Sequence, residues 1–178
     1  LTATWRHARL AIDAAGGSAY RIVGTGTGWA PDKDSAKGRW EDDLHPETSC
    51  RVSANARVEY YTAAGSWVPV ALERPGYVFA GWRELPDGQA HDYPAGQDVT
   101  LTATWRHARL AIDAAGGKTS RYVRDAGGAW VLDYDGGREV WEAELSPSQP
   151  VKAFGYGRSE HFDKDGSWYA MKTERAGY

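Results

Sequence analysis

From Arg9 to Asp13 the chain reads Arg-Leu-Ala-Ile-Asp, so Leu10 and Ile12 point one way while Arg9, Ala11 and Asp13 point the other. A period of two marks a half-buried strand, and Gly16-Gly17 stops it. A second strand is expected at residues 20–23, followed by loops that carry Trp29 and Trp40. Residues 41–44 are the one place where a short helical turn is expected, its length limited by Pro46. Residues 51–62 alternate through Val52, Ala54, Ala56, Val58 and Tyr60 and read as one long strand. Gly65-Ser66-Trp67 is a turn and the start of the next strand, an irregular loop carries Asp87-Gly88 and Pro94, and residues 100–105 form a closing strand. Turn signals every ~8–12 residues suit antiparallel sheets.

This pattern occurs twice. Residues 1–17 return letter for letter at 101–117, and beyond them Trp29 and Trp40 recur as Trp130 and Trp141 after a one-residue insertion. The second copy repeats the strand at 120–123, the turn expected at 142–145 before Pro147, the long strand at 151–162 and the turn Gly166-Ser167-Trp168. A period near one hundred residues is too long for a solenoid, whose repeats run to ~20–50 residues. Each unit is therefore expected to be a small domain with its own core. On this reading residues 1–7 are the closing strand of a preceding repeat, and 8–105 are a complete unit with an enlarged insertion at 18–74. Residues 106–178 are then a second unit, truncated before its closing strands. The alternative phasing makes 1–77 one fold and 101–178 its twin, with 78–100 a connecting hairpin. No Gly/Pro/Ser linker interrupts Trp105-Arg106-His107-Ala108, which points to stiff coupling.

At residues 75–82 the chain reads Pro-Gly-Tyr-Val-Phe-Ala-Gly-Trp, and at 98–105 Asp-Val-Thr-Leu-Thr-Ala-Thr-Trp. With the Leu10–Gly17 strand ending in Gly-Gly, these pieces resemble the Listeria–Bacteroides repeat, the internalin-type B repeat of bacterial surface proteins. The resemblance covers about half of each unit; the 57 residues between Gly17 and Pro75 lie outside it. It implies a β-rich α+β class: tandem small β-grasp-like domains, mostly antiparallel sheet with little helix. It also implies secreted, wall-attached proteins in which such repeats act as stalk or spacer modules, sometimes adhesive. In the strand at 77–82, alternation places Tyr77, Phe79 and Gly81 on one face and Val78, Ala80 and Trp82 on the other. Gly81, without a side chain, is expected to let a neighbouring ring lie across the strand.

Composition narrows the remaining chemistry. Net charge is −3 and the 21 Lys and Arg are scattered, which argues against nucleic acid as a partner. No apolar run approaches the ~18 residues of a membrane span. Cys50 is the single cysteine, so no disulfide forms within the chain, and it reads as a small semi-buried side chain. His7, His45, His91, His107 and His161 show no metal-ligand spacing, and no nucleophile elbow or phosphate loop is present. No catalytic residue, metal or cofactor is expected. Asp163-Lys-Asp-Gly166 looks like half a calcium loop but lacks the downstream acidic ligands and reads as a hairpin turn. The nine tryptophans are read mainly as core. The rival role is as a carbohydrate-binding or adhesive surface, for which Trp29, Trp40, Trp130 and Trp141 are the candidates, with a host glycan or protein as partner. The main expectation is a non-enzymatic, extracellular spacer on the bacterial cell surface whose partners are neighbouring repeats of the same polypeptide.

Overall fold

The fold is taken from a computed structural model, which describes residues 2–85 and 88–177. Leu1, Asp87 and Tyr178, which figured in the expectations above, lie outside the described residues. The chain divides into two compact units, Leu1–Arg106 and His107–Tyr178.

Unit 1 contains β1 (Arg9–Asp13), β2 (Ser18–Thr25), β3 (Gly28–Lys37), β4 (Arg39–Asp43), β5 (Cys50–Ser53), β6 (Arg57–Tyr61), β7 (Trp67–Glu73), β8 (Tyr77–Trp82), β9 (His91–Tyr93) and β10 (Val99–His107). They build two sheets, in the orders β4-β1-β10-β8 and β3-β2-β7-β6-β5-β9. β1 lies between an antiparallel neighbour, β4, and a parallel one, β10, with Leu10 opposite Val99 and Ile12 opposite Leu101. Both sheets feed one core: Leu10, Ile12, Val99 and Leu101 from the first, Val52, Val58, Tyr60 and Val70 from the second, all essentially inaccessible to water. Two indoles tie the sheets together. Trp40 Nε1 donates to the Tyr60 hydroxyl at 2.9 Å, and Trp82 Nε1 to the Ser53 carbonyl at 2.9 Å.

Unit 2 repeats the strand order. β11 (Arg109–Asp113) pairs with β14 (Val140–Glu144) as β1 pairs with β4. β12 (Lys118–Arg124), β13 (Trp130–Leu132), β15 (Lys152–Ala153), β16 (Arg158–Phe162) and β17 (Trp168–Glu174) form the sheet β13-β12-β17-β16-β15. That order matches β3-β2-β7-β6-β5 of unit 1.

The β-rich expectation holds, and no helix occurs among the described residues. Where a helical turn was expected at 41–44 the chain continues as β4, and at 142–145 as β14. Glu41-Asp42-Asp43 conceals the alternation, because the inward Asp42 is polar. It is accommodated there because the Tyr60 hydroxyl donates to its Oδ2 at 2.8 Å. Likewise Trp29 and Trp40 sit on strands β3 and β4, not in loops. The single strand expected over 51–62 is the hairpin β5–β6, which turns at residues 54–56 with Ala56 at φ 61°. Its counterpart over 151–162 is the hairpin β15–β16.

In β8 the strict alternation fails at its last step. Gly81 adopts φ 136°, a conformation that side-chain-bearing residues rarely take, and Trp82 is buried with its ring 5.0 Å from that of Phe79. Gly81 thus acts through its backbone. Space is not the reason, since a Cβ there would meet nothing closer than Thr104 Oγ1 at 3.9 Å.

Candidate functional site

The most conspicuous solvent-facing feature is an aromatic pair that occurs in both units. In unit 1, β2 runs between β3 and β7. Gly24 of β2 stands opposite Trp29 of β3, whose ring edge passes 3.8 Å from where a Cβ of Gly24 would be. The Trp29 indole reaches across β2 to Trp67 of β7, edge to face at 5.3 Å. Tyr61 is directly opposite Trp67 across the β6–β7 ladder, so its ring shares that face. Trp29 is 65% exposed, and Tyr61 and Trp67 are also exposed.

Unit 2 repeats the arrangement with Trp130 and Trp168, edge to face at 5.4 Å, and Phe162 opposite Trp168. Here Arg124 is opposite Trp130, and its guanidinium lies 4.7 Å from the ring centroid. Such a cation over an indole face contributes about 0.5–1 kcal/mol at an exposed site.

The four tryptophans singled out from sequence therefore separate. Trp29 and Trp130 are exposed on the sheet face, whereas Trp40 is buried between the sheets of unit 1 and Trp141 is half-buried in unit 2. As a surface contact residue Trp40 is a correction. Its inward position follows from the period of β4, and its indole N–H is already spent on Tyr60. Trp67 and Trp168, which complete the exposed pairs, were read from sequence only as strand starts. The signal that could have found them is their recurrence at the same spacing as Trp29 and Trp130.

Cys50, Asp98 and Asp163 are held in structural settings. The Cys50 thiol is buried and pushed up to about 12 by that burial, with Asp92 adding to the effect, so at neutral pH it is not a thiolate. Asp98 receives a forked pair from Arg6 at 2.9 and 2.6 Å and the Arg9 amide at 2.8 Å. These hydrogen bonds hold its carboxyl well below the usual carboxylate range. They fasten the start of β10 to the start of β1. Asp163 Oδ1 accepts the amides of Asp165 and Ser167 and shapes a hairpin turn. Among the described residues, no three His, Cys, Asp or Glu side chains converge on a point where a metal ion would fit. No helix among them is long and apolar enough to cross a membrane.

No protein-family model, no curated protein and no solved structure matches this chain.

Proposed function

We propose that this chain is a non-enzymatic, extracellular repeat module of a bacterial cell-surface protein, acting as a spacer that projects other domains. The observation that carries this reading is the coupling of the repeated segment to the fold. β10 pairs with β1 of unit 1, and after the single residue Ala108 the chain enters β11 of the next unit. In the sequence one residue separates the strand that closes one unit from the strand that opens the next, and no Gly/Pro/Ser-rich linker stands between them. The repeat phasing of the sequence motif and the parallel β1–β10 pair support a β-grasp-like relationship. The test is backbone 15N relaxation across residues 104–110. Spacer function requires these amides to be as ordered as those of β1, and fast linker-like motion at 106–108 would overturn it.

The exposed Trp29–Trp67 and Trp130–Trp168 pairs favour a second reading, adhesion to carbohydrate, because exposed indole rings stack on sugar rings. Iodide quenching of tryptophan emission, with and without a panel of host and wall glycans, separates the two. A glycan that protects the quenchable fraction supports adhesion, and a quenchable fraction that no glycan alters leaves the spacer reading alone.

A further inference from the structure

The outer face of the larger sheet is kept from one unit to the other, although the core behind it is not. On the core side Val52, Tyr60 and Leu72 give way to Ala153, His161 and Thr173. On the outer side Trp29, Arg51, Glu59, Tyr61 and Trp67 correspond to Trp130, Lys152, Glu160, Phe162 and Trp168, each pair alike in charge or ring. A shallow pocket adjoins the second indole of each unit. In unit 1 it holds about 210 Å³ beside Thr48, Arg51, Glu59, Tyr61 and Trp67. In unit 2 the matching positions, Gln149, Lys152, Glu160, Phe162 and Trp168, border one of about 150 Å³. No residue of β8–β10 lines the unit 1 pocket, so its walls come from elements that both units contain.

Charge around these pockets is already balanced. Glu59 pairs with Arg57 at 2.8 Å and Arg51 with Asp92 at 3.1 Å. In unit 2 Glu160 pairs with Arg158 at 2.6 Å, and Lys152 stands opposite Glu160 across the β15–β16 ladder. The indoles meet at 77° in unit 1 and 73° in unit 2, so each pair makes a corner and not a flat platform. A corner seats a single ring on one indole face, with the other indole as its wall.

We propose that each unit carries one binding site for a neutral oligosaccharide, formed by the indole corner and the adjoining pocket. One pyranose ring stacks in the corner through its C–H face. The next ring lies in the pocket, where its hydroxyls donate to the Glu59 or Glu160 carboxylate and accept from the Arg51 or Lys152 side chain. A hydroxyl both donates and accepts, which matches a carboxylate set beside a cation, whereas a charged ligand would have to break an existing ion pair. This site rests on the carbohydrate-adhesion reading and deepens it, adding the ligand class, the polar residues that select it and a second site per chain.

The experiment is isothermal titration of the whole chain with four neutral tetrasaccharides, cellotetraose, laminaritetraose, maltotetraose and chitotetraose, and with the acidic tetragalacturonate. At least one neutral probe is expected to bind at two sites per chain and tetragalacturonate more weakly. Trp67→Ala is expected to lower the stoichiometry to one, and Trp67→Ala with Trp168→Ala to abolish binding. Glu59→Gln with Glu160→Gln is expected to weaken binding at least about tenfold. Trp5→Ala, at a ring 93% exposed but away from β2–β7, is expected to change nothing. Amide spectra of each variant check that the sheets stay folded. Preference for tetragalacturonate, or full binding by the folded double Trp variant, overturns the proposal. Full affinity in the double Gln variant also overturns it while leaving adhesion through the indoles standing. Absence of binding by every probe, with iodide quenching unaltered by any glycan, overturns both.

Discussion

At the scale of single residues, the two units solve one buried position differently. In unit 1 Tyr60 is inaccessible, accepts Trp40 Nε1–H and donates to Asp42, and burial raises its phenol well above the ordinary value, so it stays protonated. Tyr60→Phe leaves a buried indole N–H and an inward carboxylate each short of a partner. An orphaned buried group costs about 1–3 kcal/mol, so urea unfolding of unit 1 is expected to weaken by that amount. A loss well under ~0.5 kcal/mol would mean the bridge is not a stabilising element. The counterpart in unit 2 is His161, buried and stacked on Tyr169 at 5.4 Å, with no hydrogen-bond partner on either ring nitrogen among the described residues. Burial lowers its pKa from 6.5, and Asp163 opposes this in part. In the unfolded chain the imidazole takes up its proton at the ordinary value, so the neutral buried ring contributes stability that is complete above pH 6.5. That contribution is lost as pH falls through 6.5 towards the lower folded value. Unit 2 is therefore expected to unfold at lower urea at pH ~5.5 than at pH ~7.5. His161→Tyr is expected to flatten that dependence, and an unchanged slope in the variant would assign it to other groups.

At the scale of elements, the clearest device is the break of alternation at Gly81. Gly81→Ala forces a Cβ onto a φ of 136°, with an expected cost of about 1–3 kcal/mol. The Trp82 indole, which donates to Ser53, should report it by a shift of its N–H resonance; an unmoved resonance would show that the backbone there tolerates a side chain. The same element shows what sequence could and could not convey. β1 was legible because its alternation is unbroken from Arg9 to Asp13 and a Gly pair ends it. β4 was not, because an inward Asp42 satisfied by a distant tyrosine looks polar in sequence and only tertiary pairing makes it a core position. The β5–β6 turn was hidden because it is written Ala-Asn-Ala, with Ala56 at φ 61° where a glycine would have announced it. Unit 2 writes the same turn Gly-Tyr-Gly, with Gly157 at φ 72°. Of the exposed aromatic pairs, sequence offered Trp29 and Trp130 but not their partners. The contact runs across an intervening strand, and register, not spacing, brings the rings together.

At the scale of the whole molecule, two units with one strand order differ in how much apolar surface they bury. The core of unit 1 draws on Leu10, Ile12, Trp40, Leu44, Val52, Val58, Val70 and Leu72 and is closed by Trp82, Val99, Leu101 and Ala103. At the matching positions of unit 2, Leu110, Ile112, Trp141 and Leu145 are only half-buried, and Ala153 and Thr173 replace Val52 and Leu72. Its buried apolar side chains among the described residues are Ala114, Ala170 and Met171. Each well-buried Leu, Ile or Val stabilises by about 1.5–3 kcal/mol, so the difference in burial outweighs the surface ion pairs, each worth at most ~1 kcal/mol. Two-step unfolding in urea follows, with unit 2 melting first and the midpoints separated by about 1 M or more. Residue-resolved NMR intensities during the titration measure it. Loss of β11–β17 signals while β1–β10 persist is the expected course. Coincident loss in both units would mean that the identical segment at 109–117 is buried in solution as thoroughly as its twin at 9–17.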